Sequence, residues 1–187
     1  MAAVQDELIN WEPALVRRAA DGDGSAFESL YRRHVETVYG LCLRLTRNVA
    51  IAEDSTQEAF IRAWRGLKRF EARSSFATWV HRIAVNVVLS RRRQGPAWLA
   101  PDDRSVSSPE PDRLDWTLDT PVEVAEIERA IDELPEGARD AVVLGGIYGY
   151  SSAEVAQMLG IAEGTCKAQL HRARSLLRRR LSLEKPR

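Results

Sequence analysis

The sequence predicts an all-α protein with two small helical domains, which are joined by a long acidic, proline-rich linker. Apolar residues recur at helical spacing through the first half of the chain and again from about position 122, without β-type alternation of any length. Between these regions, residues 95–121 contain five prolines and six acidic residues, which disfavour both helix and collapse. The chain ends in two helical segments across a tight turn, the pattern of a helix-turn-helix. We therefore divide the chain into residues 1–94, 95–121 and 122–187.

The N-terminal domain is predicted to contain three main helices. Ser25 is expected to cap the first helix, and Asn48 ends it. The second helix runs over about residues 51–70, and the third begins near Ser75. The third helix has an apolar stripe formed by Phe76, Trp79, Val80, Ile83, Val87 and Val88. Because Trp79 lies on this stripe, we expect it in the core, with a stacking platform for a nucleic-acid base as the alternative.

The C-terminal domain is predicted to begin with two helices, at about residues 122–134 and 135–147. Ser151 and Glu154 then have the spacing of a capping box, which starts a short helix. Gly160 suits the C-terminal cap of that helix, since glycine adopts the left-handed conformation without strain. A second helix after so short a turn gives the helix-turn-helix pattern.

The final helix begins near Glu163 and combines a buried stripe with a basic outer face. Its inward residues are predicted to be Cys166, Leu170, Ala173, Leu177 and Leu181. Its outward residues are then Lys167, Ala168, His171 and Arg172. A helix-turn-helix presents such a face to the DNA major groove, and Thr165 lies where free helix N–H groups favour a phosphate. A solvated basic face on an ordinary bundle helix is the alternative.

Composition and charge narrow the function classes. The chain has 27 basic and 27 acidic residues, so it is not a general binder of polyanions. The charges are unevenly placed, because residues 164–187 hold eight basic residues and one acid, whereas residues 122–163 hold nine acids and two basic residues. No apolar run could span a membrane, and the N-terminus lacks the pattern of a signal peptide. We expect no membrane insertion.

The cysteines and histidines indicate a reducing compartment without metal chemistry. Two cysteines, Cys42 and Cys166, cannot form a disulfide framework, which favours a cytoplasmic location. A thiol in the first turn of a helix can be redox-active, but the inward position of Cys166 favours a buried apolar role. The three histidines, His34, His81 and His171, show no metal-ligand spacing with each other or with the cysteines. We predict neither a metal nor a cofactor.

Three segments resemble the extracytoplasmic-function (ECF) family of bacterial RNA polymerase sigma factors. Residues 53–70, EDSTQEAFIRAWRGLKRF, and 75–86, SFATWVHRIAVN, are similar to the second conserved region of that family. Residues 133–177, which include EGTCKAQLHRAR, resemble its fourth region. The resemblance implies a transcription initiation factor that directs core RNA polymerase to promoters and is controlled by an anti-sigma factor. Its N-terminal domain would bind the β′ clamp and open the minus-ten element. Its C-terminal domain would read the minus-35 element and rest on the β flap.

The resemblance also assigns roles to residues. Core polymerase contacts fall on Asp54, Gln57, Glu58, Ile61 and Arg65. Minus-ten contacts fall on Glu71, Ala72, Arg73, Ser74, Arg82 and Asn86, with phosphate contacts from Arg91, Arg92 and Arg93. Minus-35 contacts fall on Ser151, Ser152, Thr165, Lys167, Ala168, His171, Arg172 and Arg174. The apolar Val85 and Leu89 are expected to face outward and to contact an anti-sigma factor.

Several positions depart from the family pattern. Ser55-Thr56 replaces an apolar pair, and Ala72-Arg73 replaces a common Gly-Asp in the loop that captures a base. Cys166 stands where valine is usual, and Ala168-Gln169 where Ser-Arg is usual. The second and last departures fall at predicted reading positions, so they bear on the promoter sequence.

Two other function classes explain less of the chain. A stand-alone helix-turn-helix regulator would account for residues 151–180, but not for the EDSTQEAFIRAW helix or the acidic linker. An enzyme acting on nucleic acid would need a phosphate-binding glycine loop, paired carboxylates or a nucleophile set, and the sequence shows none of these motifs. We therefore expect a non-enzymatic protein.

Overall fold

The computed structural model describes residues 12–94 and 124–183, with side chains as far as Leu181. The chain divides into two compact units, and each of the two described ranges lies in a different unit. Within these ranges all regular secondary structure is helical. The prediction of an all-α protein with two helical domains is thereby confirmed, while the predicted linker, residues 95–121, lies outside the described residues.

Residues 12–94 of the N-terminal unit form four α-helices and one short 3₁₀ turn. The helices are α1 (Glu12–Ala20), α2 (Gly24–Thr46), α3 (Val49–Gly66) and α4 (Phe76–Arg92), with the 3₁₀ turn Leu67–Arg69 directly after α3. Helices α2, α3 and α4 all contact one another, and α1 lies against α2. The three mutually packed helices form the core that positions the polar surfaces described below.

Side-chain caps fix where three of these helices begin. Asp23 caps α2, and its Oδ1 accepts hydrogen bonds from the backbone N–H groups of Ser25 (3.0 Å) and Ala26 (3.1 Å). The prediction that Ser25 is the cap is wrong by two residues, because a carboxylate also interacts favourably with the positive end of the helix dipole. Asn48 caps α3, and Ser75 caps α4 as predicted.

Helix α4 is buried over a wider face than its sequence pattern suggests. Val85 is fully buried and Leu89 is half-buried, so the prediction that both face outward is wrong for Val85. The reason is that α4 contacts both α2 and α3, and two neighbours on different sides cover more than one apolar stripe. Phe76 and Val80 are buried as predicted, whereas Trp79 is half-buried.

Residues 124–183 of the C-terminal unit form four further α-helices. They are α5 (Val124–Asp132), α6 (Glu136–Val142), α7 (Ser152–Leu159) and α8 (Glu163–Leu183), and the π-helical turn Val143–Ile147 follows α6. Pro135 is the N-cap of α6 rather than part of its first turn. Helix α8 contacts α5, α6 and α7, so the last helix of the chain is the centre of this unit.

The inward stripe of α8 agrees with the prediction in four of its five positions. Cys166, Leu170, Ala173 and Leu177 are buried, and Leu181 is half-buried. Arg180 fastens the far end of α8 to α5, because its Nη1 lies 2.9 Å from Glu133 Oε2 and donates to the carbonyl of Ala130 at 3.3 Å. This contact fixes the axis of α8 and therefore the direction of its exposed face.

Candidate nucleic-acid interface

Helix α7, the first helix of the predicted helix-turn-helix, is capped at both of its ends. At the start of α7 the backbone N–H of Glu154 donates to Ser151 Oγ (3.3 Å), and the backbone N–H of Ser151 donates to Glu154 Oε2 (3.0 Å). This is the predicted capping box. At the end of α7 Gly160 takes φ 67°, and the N–H of Ile161 bonds to the carbonyl of Ala156. The left-handed glycine lets α8 begin after a short turn, which completes the helix-turn-helix.

The outer face of α8 is exposed where the sequence predicts it. The exposed residues among the predicted minus-35 contacts of this helix are Thr165, Lys167, Ala168, His171, Arg172 and Arg174. Lys167 forms an ion pair one turn apart, with its Nζ 2.7 Å from Glu163 Oε1. This hydrogen bond and the carboxylate charge raise the pKa of Lys167, so the ammonium stays charged. A phosphate at this position would compete with Glu163 for it.

Ser151 and Ser152 are placed differently from the residues of α8. The Ser151 hydroxyl donates to Glu154 Oε2 at 2.8 Å while it accepts from the Glu154 N–H. Its hydrogen-bonding capacity is therefore largely used within the cap. Ser152 is half-buried in the first turn of α7. Their contact with DNA remains a prediction, and the structural role of Ser151 is the cap.

Cys166 and Gln169 face the interior of the C-terminal unit. Cys166 is fully buried, and burial, together with the Glu163 carboxylate, raises the pKa of its thiol. This favours the protonated, unreactive form and supports the prediction of a buried apolar residue. Gln169 is half-buried, and its amide lies against Gly137, where a Cβ would meet Nε2 at 3.1 Å. Gln169 thus points toward α6 and away from the basic face.

In the N-terminal unit the predicted minus-ten loop is an exposed turn. Glu71, Ala72 and Arg73 are exposed, and Ser74 is half-buried. Arg73 Nε lies 2.6 Å from Glu71 Oε2, so the two charges of the loop pair with each other. Ala72 has φ 52°, in the left-handed region that glycine occupies most easily. The loop keeps a glycine-like conformation although the sequence places alanine there.

Arg82 and Asn86 lie one turn apart on α4 and therefore on one face of the helix. Asn86 is exposed, while Arg82 is half-buried, and its Nε is shielded from solvent without a hydrogen-bond partner among the described residues. Trp79, three residues before Arg82, packs with Phe70 and Phe76 at ring-centroid distances of 4.8 and 5.9 Å. These contacts favour the predicted core role of Trp79 over a stacking platform.

The three consecutive arginines at the end of α4 differ in what they contact. Arg91 lies against Asp54 of α3, with its Nη1 3.5 Å from Asp54 Oδ2. Arg92 donates from Nη2 to the carbonyl of Leu45 at 2.6 Å and so caps the end of α2. Arg93 is exposed. Phosphate contacts from all three arginines remain a prediction, and two of the three, Arg91 and Arg92, also join α4 to its neighbours.

The predicted polymerase-binding residues share the outer face of α3. Asp54, Gln57, Ile61 and Arg65 are exposed, and Glu58 is half-buried. Glu58 Oε1 lies 2.7 Å from Arg62 Nε, one turn further along. Ile61 keeps 45% of its surface exposed and lies beside the exposed rings of Tyr31 and Trp64. A contiguous apolar patch, unlike a single exposed residue, is typical of an interaction surface.

An apolar groove beside Ile61 extends this face toward α2. It has a volume of about 630 Å³ and is lined by Gly24, Phe27, Tyr31, Gln57, Phe60, Ile61, Trp64 and Arg65. The rings of Phe27 and Trp64 lie 4.8 Å apart, as do those of Tyr31 and Phe60. Tyr31 and Trp64 belong to none of the predicted surfaces, yet they are 38% and 39% exposed. The signal available was their helical spacing, which places Trp64 three residues from Ile61.

The described residues contain neither a metal-ligand cluster nor a membrane-spanning helix. No group of three or more His, Cys, Asp or Glu side chains is placed to hold a metal ion within residues 12–94 and 124–181. None of the described helices is both long and apolar enough to cross a membrane.

Together, these features define a two-unit helical protein with a DNA-binding helix-turn-helix in its C-terminal unit. Comparison with known proteins extends this class to a family. Residues 30–96 match the model for sigma-70 region 2, and residues 125–177 match the model for sigma-70 region 4. A stand-alone helix-turn-helix regulator would leave the first of these matches unexplained.

Two curated relatives and one solved structure agree with these family matches. The chain is 38% identical over 160 residues to the ECF RNA polymerase sigma factor SigM of Mycobacterium tuberculosis, covering 86% of this chain and 79% of the relative. It is 33% identical over 178 residues to the ECF RNA polymerase sigma factor SigW of Bacillus subtilis, covering 89% and 94%. The fold is similar to that of the sigma factor RpoE of Bartonella quintana, solved with the anti-sigma factor NepR, with a TM-score of 0.64 at 22% identity, covering 85% of this chain and 98% of that one.

The chain belongs to the family of ECF RNA polymerase sigma factors. It is therefore a transcription initiation factor, and sigma factors as a class are non-enzymatic. The resemblance found in the sequence is confirmed.

Proposed function

We propose that the two units divide the recognition of a promoter between them. The C-terminal unit, residues 122–187, reads the minus-35 element with α8. The N-terminal unit, residues 1–94, binds core polymerase and holds the opened minus-ten element. The observation that best supports this proposal is the two-sided character of α8, in which Cys166 and Ala173 are fully buried while His171 and Arg172 are exposed. A helix fixed in this way presents its basic side chains at a set position, as major-groove recognition requires.

Core polymerase binds the outer face of α3 in this proposal. The face combines an exposed aliphatic residue, Ile61, with the charged or polar residues Asp54, Gln57 and Arg65. An apolar centre with a polar rim is the usual composition of a protein–protein interface. The aromatic groove with Tyr31 and Trp64 continues the same surface. We assign the β′ clamp as the partner here and the β flap as a partner of the C-terminal unit.

The minus-ten strand would lie along the loop of residues 71–74 and the exposed face of α4. Arg82 and Asn86 offer hydrogen-bond donors on one helix face, and arginines near the end of α4 offer charge for phosphates. Single-stranded DNA binding needs such a combination of charge and hydrogen-bonding groups. Residues 95–121 would join the units; a chain of that length spans at most roughly 90 Å at ~3.3 Å per residue. Promoter elements one and a half to two turns apart are separated by roughly 50–70 Å.

An anti-sigma factor would control the protein. The structurally similar RpoE was solved in complex with the anti-sigma factor NepR, and we propose control of the same kind for this chain. The exposed apolar residues on α2 and α3, Tyr31, Ile61 and Trp64, offer a surface that an inhibitor could cover. The buried Val85 does not. The factor works in the bacterial cytoplasm, where polymerase is, and catalysis of RNA synthesis belongs to the polymerase.

Promoter-directed transcription tests this proposal. Core bacterial polymerase is incubated with a promoter library, with and without the protein, and the 5′ ends of the RNA are sequenced. New start sites that share two spaced upstream elements are expected. If a well-folded protein gives no new starts with several core enzymes, the proposed function is wrong.

A further inference from the structure

One ion pair joins the surface proposed for polymerase to the surface proposed for DNA. The Arg91 guanidinium on α4 faces Asp54 on α3, with Nη1 3.5 Å from Asp54 Oδ2 and Nη2 donating to the Asp54 backbone carbonyl at 3.4 Å. Asp54 belongs to the set assigned to polymerase, and Arg91 to the set assigned to minus-ten phosphates. The two residues are 37 positions apart in the sequence, so no local pattern predicts their contact.

We propose that the Asp54–Arg91 contact restrains DNA binding by the free protein, and that polymerase releases Arg91 when it engages Asp54. This inference rests on the proposed function. The Asp54 side chain is 66% exposed and the Arg91 side chain 34%. A polymerase side chain can therefore reach the carboxylate first, whereas a phosphate that approaches Arg91 meets a guanidinium already paired with an anion.

The charge of Asp54 explains why its contact with Arg91 weakens DNA binding and does not strengthen it. The negative carboxylate of Asp54 offsets the charge of Arg91 and repels a phosphate. These two electrostatic effects act at short range, so salt screens them little. A cationic partner that pairs with the Asp54 carboxylate removes this repulsion and frees Nη1 of Arg91 for a charge-assisted hydrogen bond to a phosphate. By linkage, DNA bound at Arg91 then raises the affinity of the protein for polymerase by the same factor.

The neighbouring arginines provide a comparison within the same helix. Arg92 cannot replace Arg91, because it is half-buried and bonded to the Leu45 carbonyl at 2.6 Å. Arg93 is exposed at the end of α4, so its access to DNA does not depend on Asp54. Replacing Arg93 should weaken DNA binding equally in the free protein and in the polymerase complex.

Fluorescence anisotropy of the full chain with a short labelled single-stranded DNA of mixed sequence tests the restraint without polymerase. Asp54→Asn is expected to bind about threefold more tightly than Glu53→Gln, within the range an exposed ion pair can contribute. Glu53 is the matched control, since it is the adjacent exposed acid and its change alters net charge equally. In an Arg91→Gln background the extra gain from Asp54→Asn should disappear.

The proposal is overturned if Asp54→Asn binds no more tightly than Glu53→Gln, which includes the case in which neither binds measurably. It is equally overturned if the gain persists without Arg91. Circular dichroism checks the fold of each variant, and Asp54→Ala serves as a second variant should Asp54→Asn unfold. Because this assay contains no polymerase, its result is separate from the transcription test of the proposed function.

A second measurement compares free and polymerase-bound protein. Arg91→Gln should weaken DNA binding by the free protein clearly less than Arg93→Gln does, and it should weaken promoter binding by the polymerase complex several-fold. Arg93→Gln should weaken both by the same factor. Equal effects of Arg91→Gln in the two states would show that Arg91 is not masked.

Discussion

The two helices proposed to contact DNA, α4 and α8, hold their basic residues in different ways. On α8 one stripe is buried, and Lys167, His171 and Arg172 project from the opposite, exposed face. On α4 both α2 and α3 cover the helix, and Arg91 and Arg92 make contacts within the protein. The C-terminal reading surface is therefore formed in the free protein, whereas part of the N-terminal one is engaged in intramolecular contacts.

This difference follows from how much of each helix its neighbours cover: α8 contacts three helices but buries a single stripe, whereas α2 and α3 together cover more than one stripe of α4. A helix that ends in open solvent can keep long basic side chains outside while a narrow stripe packs. A helix between two neighbours buries polar groups as well, and these must find partners inside or lose stability. We expect the N-terminal unit to respond more strongly to pH and to changes in buried polar groups.

The largest expected effect is the acid sensitivity of the N-terminal unit. His81 is buried on α4, and burial, with a smaller contribution from His34, lowers the pKa of its imidazole to about 4. The unfolded chain binds this proton near pH 6.5, so the free energy of unfolding is highest above that pH. It should fall between pH 6.5 and 4, by about 3 kcal/mol from this group alone. Urea unfolding at a series of pH values measures it.

Tryptophan fluorescence reports on this transition through Trp64 and Trp79, which are the two tryptophans among the described residues and lie in the N-terminal unit. His81→Gln removes the titrating group and should flatten the decline of the free energy of unfolding between pH 6.5 and 4, whatever its effect at pH 7. An unchanged slope in His81→Gln would mean that another group causes the acid sensitivity.

Arg172→Ala is expected to have the next largest effect, and it tests whether the α8 surface is functional. The side chain is exposed, so its loss should leave stability nearly unchanged. A lost base or phosphate contact weakens binding by about 1–3 kcal/mol, or roughly 5- to 150-fold. Transcription from promoters with an upstream element should fall by such a factor, as measured by run-off transcription with core polymerase.

Arg179→Ala is the matched control for Arg172→Ala. Both side chains are exposed on α8, two turns apart, and both changes remove one positive charge. Arg179→Ala should lower transcription much less. If both variants lose activity equally, α8 contributes only general positive charge, and the alternative of a solvated basic face regains support.

The sequence predicted the C-terminal site better than the N-terminal one. The cap at Ser151, the turn at Gly160 and the buried Cys166 all agree with the structure, because each depends on a local pattern within one or two turns. The roles of Arg91 and Arg92 could not be predicted in this way. Their partners, Asp54 and Leu45, lie on other helices, and only tertiary packing brings them together.

The errors in the N-terminal unit have a common physical cause. Val85 was expected outside because one apolar stripe was assigned to α4, whereas a second neighbouring helix buries it. Trp64 lies among apolar residues at helical spacing, yet it is 39% exposed beside the groove. Periodicity shows which residues share a helix face, but it does not show how many faces are covered.

Ser55→Ala is expected to stabilise the N-terminal unit by about 1 kcal/mol. Ser55 is fully buried in α3, and the structure gives its Oγ no hydrogen-bond partner among the described residues. The adjacent Thr56 is a useful contrast, since its hydroxyl donates to the Ala52 carbonyl at 2.7 Å. Thr56→Val should therefore fail to stabilise. Chemical denaturation followed by tryptophan fluorescence measures both, and a loss of stability in Ser55→Ala would indicate an unseen partner.

The last predictions concern two left-handed residues, one in each unit, and the smallest expected effect among them is that of Ala72→Gly. Gly160 forms the turn of the helix-turn-helix at φ 67°, and Ala72 forms the predicted minus-ten loop at φ 52°. Gly160→Ala should destabilise its unit by about 1 kcal/mol, since a side chain is disfavoured there. Ala72→Gly should relieve the same strain, but the greater freedom of glycine in the unfolded chain offsets part of the gain, which leaves about 0.5 kcal/mol.

Ala72→Gly also separates strain from function. If the variant is more stable by chemical denaturation and keeps its transcription activity, the alanine is a tolerated departure from the family's glycine. If stability rises while open-complex formation falls, the alanine restricts the loop to the conformation that captures a base, and the strain is part of recognition. Ala72→Val should destabilise by more than 1 kcal/mol, because a β-branched residue rarely adopts positive φ. Equal stability of all three proteins would show that the loop changes its backbone to fit the side chain.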